Sequence, residues 1–437
     1  MNDSTALLKR QLFPVRLADY LPDAAEKACL LYAPLSHDFV LLDTDELEAL
    51  ADGLAECDSG TGASRPEHDR LLSWCLTHSS DALPKANYAM SPSQVRSLTI
   101  LPNNICNFSC SYCYAAKGHG SDELDEETIR AALDWFVNPG RTTERDLYIS
   151  FGGGGEPLLS WPRVRFALRH SRELALRGGF RLHYSYASNG SVIDNEIVSA
   201  IKEFAIKVNI SFDILEDVQD RQRGSYRLVA KTLDTLLQNA IFPTVNSVIT
   251  PLNVHRQCEM VEHVHARFPG LRRLSFDHVE GYPFSTVDGL RNFYDDYTEN
   301  FYSARSAGVS CGIDVSSIKH HNVSLLKQRA CAGGFDLCPD GSVSVCFLVS
   351  SPREALFDRF VYGSVHDGRV SYDESKFLDI VGRSTHSRPQ CAHCFARWHC
   401  GGGCLYNTSS KSQEEIDAMC HFIRKFTLRA LLEGVKN

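Results

Sequence analysis

From about residue 96 onward, short apolar runs alternate with longer stretches of helical periodicity. One such stretch, DEETIRAALDWFV at 125–137, puts Ile129, Ala132, Leu133 and Phe136 on one helix face. Six alternations of this kind predict a parallel sheet, and six units fall short of the eight of a closed barrel, so an open partial barrel is expected. The six apolar runs are RSLTILP at 96–102, DLYISF at 146–151, RLHYSYA at 181–187, KVNISF at 207–212, TVNSVIT at 244–250 and RRLSFDH at 272–278.

Residue types that carry chemistry follow directly after the first four runs. The cysteine-containing segment NNICNFSCSYCYAAKG at 103–118 follows the first, and GGGGEP at 152–157 follows the second. SNG at 188–190 follows the third run, and Asp213 follows the fourth. Parallel barrels place their chemistry at the carboxyl ends of their strands. We therefore expect these four segments to meet at one rim.

The pattern before residue 90 is different and predicts a small α/β module. The runs ACLLYA at 28–33 and DFVLLD at 38–43 are separated by PLSH, which predicts a hairpin with a four-residue loop. A helix is expected next, with Thr44 as its cap, and another helix is expected over about 66–78. No catalytic constellation falls in this part of the chain. The residues expected on one face of the first helix are Leu47, Leu50, Ala51 and Leu54.

Composition restricts the classes of function. The length of 437 residues predicts two or three domains, and the net charge of −9 argues against nucleic acid or an anionic membrane as a partner. No apolar run reaches about 20 residues, and the first residues lack the apolar core of a signal peptide, so a cytoplasmic protein without a membrane segment is expected. Sixteen cysteines in such a compartment indicate metal or redox chemistry rather than disulfides.

The first strand-end segment holds three cysteines, Cys106, Cys110 and Cys113, with the spacing C-x3-C-x2-C. A set this short wraps one compact group. A [4Fe–4S] cluster normally takes four thiolates, so three leave one iron with an open coordination position. Zinc is the alternative, although catalytic zinc usually takes His and carboxylate ligands. The motif favours a cluster whose open iron binds another molecule.

This motif, with Tyr112 just before its last cysteine, resembles the signature of the radical S-adenosylmethionine (SAM) superfamily. The resemblance implies that the open iron chelates the amino and carboxylate groups of SAM. It also implies that an electron from the cluster cleaves SAM to a 5′-deoxyadenosyl radical, which abstracts hydrogen from a substrate. Tyr112 would lie near the adenine, with an ordinary core aromatic as the alternative.

Three further segments resemble SAM-binding motifs of the same superfamily. The turn after the second run resembles the GGEP segment that holds the SAM amino group, although four glycines precede the glutamate here. The ends of the third and fourth runs resemble segments near the ribose and the SAM carboxylate. Each has a structural alternative, namely a glycine turn, a polar turn, a buried Asp or a solvated Arg. The residues implied to contact SAM are Gly153, Gly154, Gly155, Glu156, Ser188, Asn189, Ser211, Asp213 and Arg223.

The last third of the chain resembles the seven-cysteine SPASM domain of radical SAM peptide-modifying enzymes, which holds two auxiliary [4Fe–4S] clusters. The pattern is C-x9-G-x4-C from 331 to 346, then C-x2-C-x5-C-x3-C from 391 to 404, then Cys420. From spacing alone, a pair of zinc ribbons is the alternative. Cys338 is the preferred fourth ligand of the first auxiliary cluster, with Cys311 and an open iron as alternatives. The resemblance assigns Cys331, Cys346 and Cys404 to the first auxiliary cluster and Cys391, Cys394, Cys400 and Cys420 to the second.

These resemblances divide the chain into a leader-peptide recognition-like module at 1–92, a radical SAM core at 93–300 and a SPASM domain at 301–437. The expected fold class is α/β, a partial (β/α)6 TIM-like barrel with a winged-helix-like N-terminal module and a cysteine-rich C-terminal domain. The hairpin edge of the N-terminal module would accept a leader peptide as an added strand. A stabilising cap on the barrel is the alternative role of that module.

The expected function is modification of a ribosomally made precursor peptide, by an intramolecular carbon–carbon (cyclophane) or thioether cross-link. A flavodoxin or ferredoxin would supply electrons. Anaerobic sulfatase-maturating (formylglycine-generating) enzymes are an alternative, but they carry Asp after the cysteine corresponding to Cys346, where this chain has Phe347. A non-catalytic iron–sulfur electron-transfer protein is the second alternative, which the SAM-type motifs oppose. Asp277 and His278, at the end of the sixth run, are either acid/base groups or structural residues.

Overall fold

The computed structural model describes residues 5–59, 69–80, 83–85 and 88–433. Its N-terminal part is a three-stranded antiparallel sheet in the order β1-β2-β3, with three helices. The predicted hairpin is confirmed, since β2 and β3 pair from Ala28↔Asp43 to Ala33↔Asp38. Of the helix expected over about 66–78, residues 66–68 lie outside the described residues. The elements are α1 Thr5–Lys9, β1 Phe13–Arg16, β2 Ala28–Ala33, β3 Asp38–Asp43, α2 Thr44–Ser59 and α3 Asp69–His78.

The cap of helix α2 differs from the prediction. Asp43, not Thr44, caps the helix, because its Oδ1 accepts a hydrogen bond from the backbone N–H of Glu46 at 2.8 Å. The Glu46 carboxylate accepts one in return from the Asp43 backbone N–H at 2.8 Å. This reciprocal pair is a capping box, and Asp is as good an acceptor at this position as Thr. The predicted apolar face is confirmed, with Leu50, Ala51 and Leu54 buried.

The N-terminal sheet is covered on both faces. Cys29 and Leu31 of β2 pack towards α2 and α3 in one apolar cluster. Leu30 and Tyr32, on the opposite face of the same strand, pack with Phe395 of the C-terminal cysteine region in another cluster. A strand that is buried on both faces reads as a continuous apolar run, as ACLLYA does. The N-terminal sheet is therefore packed between its own helices and the C-terminal region.

The central part of the chain alternates strands and helices as predicted. All six predicted strands are present and pair in parallel in sequence order, from β4 to β9. The predicted apolar face of α4 is buried against them. The elements are β4 Ser97–Ile100, α4 Glu126–Phe136, β5 Asp146–Phe151, α5 Trp161–Gly178, β6 Arg181–Ser188, α6 Asn195–Glu203, β7 Lys207–Ser211, α7 Glu216–Gln222, α8 Tyr226–Gln238, β8 Thr244–Ile249, α9 Gln257–Arg267, β9 Arg273–His278 and α10 Val287–Cys311.

The C-terminal part extends the same sheet at both edges. A three-residue strand, β10, pairs in parallel with β9, and β11 pairs in parallel with β4. Beyond β11 the strands β12, β13 and β14 continue the sheet in antiparallel pairing. The elements are β10 Asp314–Ser316, α11 Ile318–Val323, β11 Phe335–Leu337, β12 Ser342–Ser344, α12 Phe357–Phe360, β13 Val361–His366, β14 Arg369–Tyr372, α13 Glu374–Val381, α14 Arg397–Cys400, α15 Leu405–Thr408 and α16 Gln413–Glu433.

Within the described part of the chain, the sheet therefore has eight parallel strands rather than the six that the sequence pattern predicts. The two additional parallel strands have only three residues each, too few to show an alternating pattern. Helix α10 runs through residue 300, where the sequence placed a domain boundary. In the described ranges, no helix has the length and apolarity needed to cross a membrane.

Candidate active site

The segments that follow β4, β5, β6 and β7 meet at one rim of the sheet, as the parallel topology requires. They surround a cavity of about 300 Å³, which we call the central cavity. Of the residues that the sequence implicates in SAM or first-cluster binding, all but Asp213 line it. These lining residues are Cys106, Cys110, Tyr112, Cys113, Gly153, Gly154, Gly155, Glu156, Ser188, Asn189, Ser211 and Arg223.

The three cysteines after β4 are half-buried at the floor of this cavity. Burial raises the pKa of Cys110 to about 11, and burial also raises the pKa of Cys113. A thiol of this kind loses its proton readily only to a bound metal. Polar neighbours are in place, since Asn189 Nδ2 lies 3.8 Å from Cys106 Sγ and His119 Nε2 lies 3.8 Å from Cys113 Sγ.

The glycine turn after β5 packs directly on the cysteine loop. A Cβ at Gly155 would lie 2.1 Å from the carbonyl oxygen of Ile105 and 2.3 Å from Asn103 Oδ1. Gly153 and Gly154 have φ of +79° and +60°, which side chains other than glycine rarely adopt. The backbone of this turn therefore faces the cavity without any side chain between it and the cysteines.

Glu156 connects the glycine turn to the end of β6. Its carboxylate is buried and accepts hydrogen bonds from the Asn189 backbone N–H at 2.6 Å, the Ser188 hydroxyl at 2.9 Å and the Leu158 backbone N–H at 3.1 Å. Burial raises the pKa of Glu156, and these donors act in the opposite direction. Hydrogen bonds of Glu156 to Ser188 and Asn189 thus fix the glycine turn after β5 against the end of β6.

Asp213 lies behind the cavity rather than in its wall. It is fully buried, and its Oδ2 accepts hydrogen bonds from the Tyr112 hydroxyl at 2.6 Å and from Gln222 Nε2 at 2.8 Å. Arg223 donates to the same Tyr112 hydroxyl at 2.9 Å. In the described structure Asp213 therefore positions Tyr112 and Arg223, and a direct contact between Asp213 and SAM stays a prediction.

Two observations test whether this cavity fits SAM and a cluster. Arg223 Nε is buried without a hydrogen-bond partner in the described structure, although the side chain lines the cavity, so it offers a donor for an anionic group. The glycine turn offers bare backbone beside the three thiols. A carboxylate-bearing ligand with a positively charged amino group matches these two features. The residues that line the central cavity therefore fit SAM and a [4Fe–4S] cluster.

The seven C-terminal cysteines fall into two spatial groups. In the first auxiliary set, Cys331, Cys346 and Cys404, the pKa of Cys346 is raised by burial first, then by Asp336, Cys404 and Cys331. Burial also raises the pKa of Cys331, with Cys404 acting in the same direction. The three thiols thus lie within one another's electrostatic field, although 58 residues separate Cys346 from Cys404 in the sequence.

The second auxiliary set is Cys391, Cys394, Cys400 and Cys420. All four thiols line one pocket of about 120 Å³. Burial raises the pKa of Cys391 to about 11 and that of Cys394 to about 12, and Cys400 raises both further. Across the described residues, no three or more His, Cys, Asp or Glu side chains are close enough together to share one metal ion.

Cys338 has a different environment. It is fully buried, and its Sγ lies 3.8 Å from the carbonyl oxygen of Asp336 and 3.7 Å from that of Val349. After burial, the largest influences that raise its pKa are Asp340, Asp336 and Glu354. Its role as a ligand of the first auxiliary set therefore requires its side chain to turn away from these two carbonyls.

Several residues of the site were missed by sequence reasoning. Asn103 is buried and donates to the Glu156 carbonyl oxygen at 3.0 Å, and Gln222 holds Asp213. Glu280 and Tyr406 line the central cavity together with His278. Asn103 belongs to the cysteine loop, and its position there was the one available signal. Glu280 and Tyr406 lie on segments whose local pattern is that of ordinary loops or short helices.

A protein-family model matches the part of the chain that forms this site. The model of the radical SAM superfamily matches residues 100–266, which contain the three-cysteine motif, the glycine turn and Arg223. Residues 100–266 therefore form a radical SAM domain. This family implies SAM and one [4Fe–4S] cluster as cofactors.

Curated relatives are distant but extend beyond that domain. The uncharacterized protein MJ0907 of Methanocaldococcus jannaschii is 30% identical over 189 residues, which are 42% of this chain and 62% of that protein. The radical SAM cyclopropyl synthase TigE of Paramaledivibacter caminithermalis is 22% identical over 79% of this chain and 75% of its own length. A cysteine-type anaerobic sulfatase-maturating enzyme of Clostridium perfringens is 20% identical over 76% of this chain and 95% of its own.

Solved structures show the same fold. A structure of anSMEcpe with bound AdoMet and the Cp18Cys peptide matches with a TM-score of 0.61 and 16% identity, covering 78% of this chain and 99% of that one. SuiB of Streptococcus suis bound to its precursor peptide SuiA matches with a TM-score of 0.52 and 14% identity, covering 89% of this chain and 95% of that one.

Proposed function

We propose that the protein is a peptide maturase that forms an intramolecular carbon–carbon (cyclophane) or thioether cross-link in a ribosomally made precursor peptide. SAM and a [4Fe–4S] cluster at Cys106, Cys110 and Cys113 supply, when bound, the one-electron cleavage that removes a hydrogen atom from the substrate. Glu156 and the glycine turn hold the SAM amino group, and Arg223 holds its carboxylate. Ser188, Asn189 and Ser211 border the ribose.

One observation carries this proposal: the central cavity continues towards the first auxiliary set. Leu348 and Glu280 line the central cavity and also line a second pocket, the auxiliary pocket, which contains Phe347 and Cys404. The loop after Cys346 packs on the glycine turn, since a Cβ at Gly153 would lie 2.9 Å from the carbonyl oxygen of Phe347. A substrate in this passage would lie between a SAM-cleaving site and an electron acceptor.

Two auxiliary [4Fe–4S] clusters complete the proposed cofactor set. The first auxiliary set would hold one cluster, with Cys338 as its proposed fourth ligand, and the second auxiliary set would hold the other through four thiolates. Cross-link formation removes two electrons from the peptide, so an acceptor inside the protein is useful. A flavodoxin or ferredoxin is the proposed external donor for the SAM-cleaving cluster.

The N-terminal module is proposed to bind the leader part of the precursor. Its sheet order leaves one edge of β3 without a partner strand among the described residues, and an extended peptide pairs with such an edge. The hairpin followed by α2 supports the proposed winged-helix-like assignment at 1–92. The proposed core at 93–300 and the proposed SPASM domain at 301–437 meet within α10, which continues to Cys311. A similarity to TigE, whose name describes a cyclopropyl synthase, supports bond formation between carbons.

Sulfatase maturation is the second candidate function, because the fold similarity to anSMEcpe covers nearly all of that chain. The observation against sulfatase maturation concerns a single residue. Phe347, whose side chain is 47% exposed, stands where those enzymes carry the Asp expected after the cysteine corresponding to Cys346. An apolar group cannot accept the proton that formylglycine formation releases.

The test compares wild-type protein with a variant in which Cys106, Cys110 and Cys113 are all changed to Ala. Anaerobically reconstituted wild-type protein, given SAM, dithionite and a precursor peptide, should release 5′-deoxyadenosine. The mass of the peptide should fall by that of two hydrogen atoms. The variant should do neither, yet retain about eight of about twelve irons.

Three results would contradict the proposal. Unchanged 5′-deoxyadenosine release by the triple variant would remove the SAM assignment. About two zincs with about four irons per wild-type chain would make the C-terminal sites zinc ribbons. An aldehyde formed in a sulfatase-derived peptide, with no change in the precursor peptide, would favour sulfatase maturation.

A further inference from the structure

His278 and Glu280 form a buried pair at the wall of the central cavity. His278 is the last residue of β9, and its Nε2 lies 3.3 Å from Glu280 Oε1. Lys319 Nζ lies 3.7 Å from the same carboxylate oxygen. Both residues of the pair line the central cavity that contains the three cysteines of the radical SAM motif.

The imidazole of His278 is enclosed by aromatic rings. Its centroid lies 5.6 Å from that of Tyr294, 5.4 Å from Tyr297 and 5.0 Å from Phe422. The residue is 4% exposed, and neither ring nitrogen makes a hydrogen bond within the described structure. Burying an imidazole whose Nε2 faces a carboxylate without a well-aligned hydrogen bond, and whose Nδ1 has no partner in the described structure, costs stability, and such groups are often found at functional sites. On the cavity side, Nε2 lies within ion-pair distance of the Glu280 carboxylate.

Glu280 lies where three spaces join. It lines the central cavity, the auxiliary pocket beside Cys404, and an outer groove that contains Tyr282 and Tyr406. Burial acts to raise the pKa of Glu280, but His278 in its protonated form, Lys319 and Lys411 outweigh burial and lower this pKa to about 2. The carboxylate is therefore ionised and able to accept a hydrogen bond from whatever enters the cavity.

The other carboxylates near this space are already engaged. Glu156 accepts three hydrogen bonds, and Asp213 accepts from Tyr112 and Gln222. Asp277, the neighbour of His278, accepts from the Ser275 hydroxyl and the Ile318 backbone N–H, both at 2.8 Å. Glu354 in the outer groove accepts from the Ser350 backbone N–H at 2.8 Å. Asp277 is thereby assigned a structural role, which leaves Glu280 as the carboxylate that faces the junction.

The proposed reaction needs a base. Joining a C–H carbon to an X–H group, where X is carbon or sulfur, breaks both bonds to hydrogen and forms one C–X bond. One hydrogen atom leaves to become part of 5′-deoxyadenosine. An oxidised [4Fe–4S] cluster held by one of the auxiliary sets would accept the remaining electron, and the remaining proton must pass to a protein group.

We propose that Glu280 and His278 are that proton acceptor: Glu280 contacts the X–H group of the peptide, and His278 behind it takes the proton. This inference rests on the proposed function and adds a catalytic residue and its proton store to it. Imidazole is a common general base in proton transfer, and a carboxylate beside it stabilises the imidazolium that forms.

The experiment uses Glu280→Gln and His278→Gln in the full-length reconstituted protein, with Glu354→Gln as the matched control in the neighbouring groove. The probe is a candidate precursor peptide, chosen from short reading frames near the gene because wild-type protein with SAM and dithionite lowers its mass by two hydrogens, and made with deuterium at its side-chain carbons. Four quantities are measured in each protein: iron content, 5′-deoxyadenosine released, deuterium in that 5′-deoxyadenosine, and cross-linked peptide.

We expect both variants to keep their iron and to release deuterated 5′-deoxyadenosine at a rate within about threefold of wild type. Cross-linked peptide per 5′-deoxyadenosine should fall about 100-fold, the effect of losing a general base. Peptide recovered without a cross-link should carry hydrogen in place of one deuterium, because dithionite and solvent supply the electron and the proton that quench the peptide radical. The control should keep the wild-type ratio. A purely structural role would lower SAM cleavage and cross-linking together and leave their ratio unchanged.

Two outcomes overturn the inference separately. An unchanged ratio of cross-link to 5′-deoxyadenosine in both Gln variants would show that neither residue accepts the proton. Wild-type protein that releases 5′-deoxyadenosine without deuterium would show that the peptide is not the hydrogen donor, and the proposed function would fail first.

Discussion

The hydroxyl oxygen of Tyr32 lies 2.8 Å from Nε2 of His399, across 367 positions of sequence. The other ring nitrogen, Nδ1, lies 2.9 Å from the carbonyl oxygen of Leu325, which can only accept, so Nδ1 carries the proton and Nε2 accepts from Tyr32. Burial lowers the pKa of His399 to about 4, which keeps the ring neutral. Because His399 precedes Cys400, the N-terminal sheet is anchored beside the second auxiliary set.

This contact changes how the N-terminal module can be tested. Phe13, Val15 and Leu30 share an apolar cluster with Phe395 and Leu428 of the C-terminal region. Deleting residues 1–90 would expose this cluster to water, at a cost of about 25 cal/mol per Å² of apolar surface. A truncated protein would therefore lose stability as well as any peptide binding, and single substitutions are the better test.

The Tyr32–His399 contact itself predicts a loss of stability. Tyr32→Phe removes the donor to a buried nitrogen and leaves that nitrogen unsatisfied, so we expect a loss of about 1–3 kcal/mol. Calorimetry of the reconstituted protein measures it as a lower unfolding temperature. Tyr148→Phe is the control, because Tyr148 is 47% exposed and its substitution should change stability by less than about 0.5 kcal/mol. Equal unfolding temperatures for Tyr32→Phe and wild type would contradict the expectation.

The two auxiliary sets predict how iron is lost in double variants. Cys404→Ala and Cys346→Ala act on one set, so combining them should remove the same about four irons as either alone. Cys404→Ala combined with Cys400→Ala acts on both sets and should remove about eight. Iron analysis and electron paramagnetic resonance after anaerobic reconstitution decide between these results. Loss of only about four irons from the Cys400 and Cys404 pair would place both residues on one cluster.

The glycine turn predicts a strong effect from one methyl group. Gly155→Ala would set a Cβ 2.1 Å from the Ile105 carbonyl oxygen, so the cysteine loop must move and SAM binding should fall at least tenfold. Equilibrium binding of SAM to reconstituted protein measures the change. Gly53→Ala in α2 meets no atom within 4 Å and should leave binding unchanged, with a gain in stability of about 0.5–1 kcal/mol. Full SAM affinity in Gly155→Ala would show that the loop yields without consequence.

The free edge of β3 predicts where a leader peptide binds. Leu41 on this strand is 49% exposed, and Leu41→Glu places a charge where a paired strand would cover it, so leader affinity should fall about tenfold. Fluorescence anisotropy of the labelled candidate precursor peptide measures affinity, and 5′-deoxyadenosine release should stay at the wild-type level. Leu76→Glu on α3, at 53% exposure, is the control and should bind normally. Equal weakening by both substitutions would argue against the β3 edge.

Much of the fold follows from the sequence because its signals are local. Short apolar runs between helical stretches predict each of the six parallel strands, and DLYISF at 146–151 matches β5 residue for residue. Sequence order and parallel pairing then bring the strand ends to one rim. The sequence alone therefore predicts that Cys106, Glu156 and Asn189 lie close together, and all three line the central cavity. The position of the three-cysteine motif is of this kind.

Tertiary structure alone decided the contacts between segments that are distant in sequence and have no local pattern. Strand β11 has three residues and becomes a strand only by pairing with β4. The resemblance implies a contact between Asp213 and SAM, which stays a prediction, and only the tertiary structure shows that its carboxylate accepts a hydrogen bond from Tyr112. Glu280 becomes a candidate catalytic residue only through its contact with His278 and its position in the wall of the central cavity. Packing of one segment on another, rather than local periodicity, determines such arrangements. They therefore cannot be predicted from the sequence of either segment alone.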